Sequence, residues 1–259
     1  MPFVNNKIMW FPGGAQPCTC PEEIAKHERE EAERKAKQEA ERVAEEARKM
    51  NDWVKRIIGD SGMGERFLQR TFETFIANSP DRKRIKAAAQ DYAENFTHQL
   101  PKRGEPLPGR NGFLITGTKG TGKTHIAAAI ANYLLNRGTG VTFMTERELF
   151  GKIRKTYSRD EHADESAVLE IYKTVPLLII DDIGKERPTE WTLATLYAII
   201  DGRYDRAMPI IVTTNYGTAD LVKRLTPTGG DATTADATVD RLIEMCEGIV
   251  MSGDSWRAK

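Results

Sequence analysis

The stretch "FLITGTKGTGKTHIAAAIANYLL", residues 113–135, places a short apolar run, a glycine-rich turn and an alanine-rich helical pattern in direct succession. Its turn, "GTKGTGKT" at Gly117–Thr124, meets every fixed position of the pattern G-x-x-x-x-G-K-[ST]. Gly117, Gly120 and Gly122 let the backbone curl until successive N–H groups point inward. The start of the following helix adds unpaired donors and the positive end of its dipole. A phosphate chain fits such a cradle, which runs from Gly117 through Thr118, Lys119, Gly120, Thr121, Gly122, Lys123 and Thr124 to His125. Lys123 can reach the β- and γ-phosphates, and the Thr124 hydroxyl can ligate magnesium.

A second stretch, "LLIIDDIGKE" at 177–186, runs four apolar residues straight into Asp181 and Asp182. In a parallel sheet the carboxyl ends of the strands open on the ligand crevice, so Asp181 emerges beside the phosphate cradle. There it can hold magnesium, through water, opposite Thr124, while Asp182 polarises an attacking water. Two adjacent carboxylates are costly unless a cation is present, and magnesium supplies it. The competing reading is a pair of helix N-cap residues. In "IVTTNYG", 211–217, Thr214 and Asn215 end another strand where a polar side chain can face the γ-phosphate, although a turn asparagine reads the same way.

Outward from these motifs, strand patterns fall at 112–117, 141–145, 176–181, 209–215 and 248–253. Helical patterns fall between them, at 81–98, 123–137, 146–157, 163–174, 189–206, 218–225 and 238–246. The alternation predicts an α/β fold with a five-stranded parallel sheet covered on both faces. "TPTGGDATTADAT", 226–238, is too polar and glycine-rich for a core and reads as a mobile loop.

The amino-terminal part differs. Residues 1–20 are short, punctuated by Pro and Gly, and contain "CTC". From Pro21 to Ile58 the chain is charged and helix-favouring, with Ala36, Ala40, Val43, Ala47, Met50, Val54 and Ile57 forming a weak heptad seam. This segment is either a solvated spacer or a helix that docks on a partner. "GDSGMGE", 59–65, reads as a linker, leaving 66–259 as the globular domain. Lys plus Arg and Asp plus Glu each total 38 in 259 residues, so no global basic field calls for nucleic acid. No apolar run of membrane length or secretory cleavage pattern is visible, and three cysteines do not make a disulfide framework. The expectation is a soluble cytoplasmic protein with no membrane partner. Cys246 reads as a buried apolar residue.

Taken together, "ERFLQRTFETF", the phosphate cradle, "LLIIDDIGKE", "TTNY", "VDRLIEMCEGIVMSG" and "DSWR" resemble the AAA+ ATPases. Within them the likeness is to the DnaC/DnaI-type loaders of replicative helicases, and it covers residues 64–259. The resemblance implies a P-loop AAA+ core with no C-terminal helical lid, preceded by a long helix. Lys123 and Thr124 would be Walker A, Asp181 and Asp182 Walker B, and Asn215 sensor 1. Arg241 resembles the arginine finger that reaches a neighbouring subunit's site, and Arg257 resembles sensor 2. Thr71, Phe72 and Phe75 would pack around the adenine base. Many AAA+ proteins carry Glu where this chain has Asp182, so slow hydrolysis by an isolated subunit, stimulated by assembly, is the implied behaviour.

The resemblance further implies ATP, ADP and Mg²⁺ as ligands, self-association through the ATPase domain, and single-stranded DNA and a DnaB-type hexamer as partners. The candidate DNA patch is "FGKIRKTYSR", with Lys152, Arg154, Lys155, Tyr157 and Arg159, though a solvated helix end reads equally well. Trp10, Phe11 and the charged helix are candidate helicase contacts. Cys18, Cys20 and His27 have neither ribbon spacing nor a fourth ligand, which argues against zinc. The implied function is an ATP-dependent helicase loader. The alternatives are a transposition-helper ATPase of the insertion-sequence type, a non-hydrolysing ATP-binding adaptor, and a small-metabolite kinase, for which no acceptor pocket is visible.

Overall fold

A computed structural model describes residue 25 and residues 29–38, 41–42, 63–98, 109–157 and 165–253. The chain forms two compact units, 1–53 and 54–259. In the first, residues 29–38 are helical and exposed, with a Glu31–Lys35 pair at 2.9 Å one turn apart. The predicted heptad seam beyond residue 42 lies outside the described residues.

Among the described residues of the second unit, two helices come first, α1 (Glu65–Leu68) and α2 (Pro80–Glu94). Strands and helices then alternate: β1 (Gly112–Gly117), α3 (Lys123–Asn136), β2 (Val141–Thr145), α4 (Glu146–Tyr157), α5 (Glu165–Thr174), β3 (Leu177–Ile183), α6 (Glu190–Asp205) and β4 (Ile210–Thr214). Next come α7 (Thr218–Leu225), α8 (Thr233–Met245) and β5 (Cys246–Met251). The five strands form one sheet in the order β2-β3-β4-β1-β5, with every pairing parallel. Strands β3 and β4 are apolar and buried along almost their whole length, as a sheet covered on both faces requires. In α3, Ala127, Ala128, Ala129 and Ala131 are all buried, and their small side chains let the helix lie close on the sheet.

The local signals for the helix starts are legible. Ser79 caps α2 by accepting from the Arg82 N–H at 3.3 Å, with Pro80 at the first helical position. Thr189 and Thr192 cap α6 reciprocally. The strands fall within two residues of their predicted bounds.

Two expectations need correction. The stretch 226–238 is not all loop, because α8 starts at Thr233 and both Ala235 and Thr238 are fully buried. Asp231 accepts from the Thr233 N–H at 3.2 Å, and the Thr238 hydroxyl donates to the Thr234 carbonyl at 2.6 Å. Local hydrogen bonds thus satisfy polar groups that composition alone marks as solvent-facing. Met63, read as linker, is buried in the core with Phe72, Phe75 and Ile85. Among the described residues no helix is long and apolar enough to cross a membrane.

The strand order decides where the motifs meet. Strand β4 lies between β1 and β3, so its carboxyl end separates the phosphate cradle from the two aspartates. The β3–β4 register shifts between Ile180 and Ile183, and Asp182 has φ 62°. Consecutive residues of a regular strand point to opposite faces. This bulge breaks that alternation and turns both carboxylates to the same crevice.

Candidate functional site

The cradle is built by close approach and backbone inversion. Gly117 has φ 144°, and a Cβ there would lie 2.1 Å from the Met251 carbonyl oxygen of the neighbouring strand β5. Gly122, at φ 104°, turns the chain into α3, whose first N–H groups have no partner within the helix. Lys123 is only 5% exposed. Its ammonium donates to the carbonyls of Gly117 (2.8 Å) and Thr118 (2.9 Å) and to Asn215 Oδ1 (2.8 Å).

Asp181 is 3% exposed, and burial pushes its carboxyl above the usual carboxylate range. The Thr213 hydroxyl opposes that shift by donating to Oδ1 at 2.6 Å, and Thr124 Oγ1 donates to the same oxygen at 2.9 Å. Thr213 Oγ1 also accepts from the Asp182 N–H at 2.9 Å, which pins the bulge. Asp182 receives Lys185 on one oxygen and the Asn215 amide, at 3.4 Å, on the other.

Lys123, Thr124, Asp181, Asp182, Lys185 and Asn215 line a cleft of about 520 Å³ whose walls also include Phe67, Phe75, Ile76 and Arg82. Arg82 is almost buried. It donates to the carbonyls of Ile76 and Thr121, each at 2.8 Å, and stacks on Phe75 at 4.7 Å, tying that wall to the phosphate loop. His125 Nε2 lies 3.0 Å from the Thr71 carbonyl, and burial lowers its basicity. The arrangement has a deep cationic end and an aromatic end, with hard oxygen ligands between them. Such a cleft suits a nucleoside polyphosphate with a divalent cation.

Residues 109–259 match the family described as IstB-like ATP binding protein. The chain belongs to that family. Similar relatives include the replicative helicase loader DnaC of Buchnera aphidicola subsp. Baizongia pistaciae, 30% identical over 150 residues. That match covers 58% of this chain and 57% of the relative's length. Among solved structures, the DnaC helicase loader overlays with a TM-score of 0.58 at 24% identity, covering 73% of this chain and all of that one. DnaI overlays at 0.59 with 23% identity, covering 74% and 93%. The fold is that of the AAA+ P-loop proteins.

Within this IstB-like ATP-binding chain, Lys119, Gly120, Gly122, Lys123, Thr124, His125, Asp181, Asp182 and Asn215 all line the cleft. Phe72 does not. It is buried in the core with its ring against Tyr133, whereas Phe75, named with it and equally buried, does border the cleft, as does Ile76. Arg241 is also elsewhere, paired with Asp201 at 2.7 Å and stacked between Tyr197 and Tyr204 on the α6–α8 surface. Arg257, the side chain of Tyr157, Arg159, Cys18, Cys20 and His27 lie outside the described residues. Among the described residues no cluster of His, Cys, Asp or Glu is arranged to hold a metal by itself. In the candidate DNA patch, Ile153 is buried, Lys152 half-buried and Arg154 stacked over Trp191 at 4.7 Å.

Sequence reasoning missed Thr213, Lys185, Arg82 and Glu146. Thr213 could have been found, since it stands two residues before Asn215 on one strand face. Glu146 carries no such signal. Its buried carboxylate accepts from the N–H groups of Gly184 (3.0 Å) and Glu186 (3.3 Å), and burial raises its carboxyl.

Proposed function

We propose that the chain is an ATP-dependent helicase loader of the DnaC type. The convergence of Lys123, Thr124, Asp181, Asp182 and Asn215 at the carboxyl edge of this sheet carries the nucleotide part of the reading. The relatives named as replicative helicase loaders support the rest.

On ATP, Lys123 exchanges its carbonyl partners for the β- and γ-phosphates. Asn215, already hydrogen-bonded to Lys123, orients the terminal phosphate. The oxygens of Thr124 and Asp181 fit Mg²⁺: they are hard donors, and the buried carboxylate gains most from a cation. Bound there, Mg²⁺ would neutralise charge on the phosphates. Asp182 accepts a proton from the attacking water as the water oxygen bonds to the γ-phosphorus and the bond to the bridging oxygen of ADP breaks, giving ADP and phosphate. Arg241 acts across a subunit boundary once it leaves Asp201. The partners are a DnaB-type hexamer, single-stranded DNA and further copies of the chain.

Mass measurement of the complex with a DnaB-type helicase, with and without ATP, tests the reading. An ATP-dependent complex is expected, together with phosphate release that Lys123→Ala abolishes. Absence of helicase binding in both states defeats the loader reading. The family description, which refers to an insertion-sequence protein, keeps one alternative open. Capture of a transposase–DNA complex instead of the helicase would select it.

A further inference from the structure

Lys185 lies on the turn after β3, three residues beyond Asp182, and belongs to no phosphate-binding pattern. Glu146 holds that turn from behind through the N–H groups of Gly184 and Glu186. Gly184, at φ 85°, reverses the chain tightly against Leu221 and Tyr216. The Lys185 ammonium is thereby brought back over the strand end onto Asp182 Oδ2, and both residues line the cleft. The other Asp182 oxygen accepts from Asn215, whose own carbonyl accepts from Lys123. Lys185, Asp182, Asn215 and Lys123 are thus linked in a single chain of contacts.

A carboxylate polarises water through a free lone pair. An ammonium on one oxygen and an amide on the other each take up an acceptor direction that the water would otherwise use. We propose that Lys185 is a built-in brake on hydrolysis, a positioning residue that masks Asp182 from the attacking water. This rests on the reading of Asp182 as the group that polarises that water. Lys185 is 41% exposed, so solvent screens the pair and the brake is partial.

The test compares the full chain with Lys185→Ala, Asp182→Asn and the double variant at saturating Mg-ATP. Lys185→Ala should raise kcat about three-fold, the scale of a half-exposed ion pair. The KM for ATP and the Kd of a fluorescent ADP should stay unchanged, and the gain should vanish in the double variant. In nucleotide-free protein, acylation of Lys185 by an amine-reactive ester should be faster in Asp182→Asn than in wild type. A kcat that is unchanged or lowered, a raised KM, or equal acylation overturns the brake. Loss of all activity in the wild type would instead defeat the hydrolysis reading, and the brake with it.

Discussion

Two cations, Lys123 and Arg203, are buried at opposite ends of the same sheet. Lys123, at the carboxyl edge, donates to two backbone carbonyls and to Asn215. Arg203, fully buried at the amino edge, donates to the carbonyls of Tyr172 (2.7 Å), Val175 (2.9 Å) and Pro209. Those carbonyls lie where α5 enters β3 and where α6 enters β4. Burial pulls the Arg203 guanidinium down to about 9, and it remains charged at neutral pH. Both cations are clasped by backbone, yet only one faces an open cleft. Lysine is a compact charge on a flexible stem that can change partners, whereas the planar arginine fork is pre-organised for one set. A buried cation is therefore suited to take a ligand where it can let go, and to act as a staple where it cannot.

The largest effect should come from Lys123→Ala, with ATP turnover reduced about 10²- to 10³-fold. Its melting temperature should stay close to wild type. Phosphate release and a thermal melt check both halves, and a collapse in stability would erase the contrast with Arg203. Next, Arg203→Met strands three buried carbonyls and should cost about 3 kcal/mol of stability. Denaturant titration measures that cost, while ADP affinity of the folded protein should not move.

A smaller effect of opposite sign is expected for Asp181→Asn. Burial raises the Asp181 carboxyl, so the folded chain takes up this proton at higher pH than the unfolded chain. The ionised group therefore costs stability near pH 8, and the cost is relieved as pH falls through the raised value. The Asn variant should be more stable by roughly 1 kcal/mol at pH 8 while losing turnover. Melts across pH should show the advantage shrinking on acidification, and an advantage that grows there would refute the burial argument. The smallest change should come from Asp201→Asn, under about 1 kcal/mol in the isolated subunit, because the pair is partly exposed. Tyr197 and Tyr204 still hold Arg241 in that variant, and a denaturant titration would reveal any larger loss.

The phosphate cradle was legible because its requirements are local. Gly117, Gly122, Lys123 and Thr124 act through backbone conformation and adjacency in sequence, which a short pattern records. The alternation of apolar runs likewise announced the parallel sheet, since period and length are properties of single segments. Phe72 and Phe75 could not be told apart in that way. Two phenylalanines three residues apart are both buried, and only the fold decides which of them also borders the cleft.

The sequence by itself determined most element types, the glycine-rich cradle and the pair of aspartates ending one strand. The tertiary structure alone decided the strand order that interposes Asn215, the bulge that brings both carboxylates to one crevice, and the Glu146 anchor that aims Lys185. The physical reason is range. Backbone propensity and motif chemistry are written within a few residues, whereas these three depend on contacts between segments 31 to 92 residues apart.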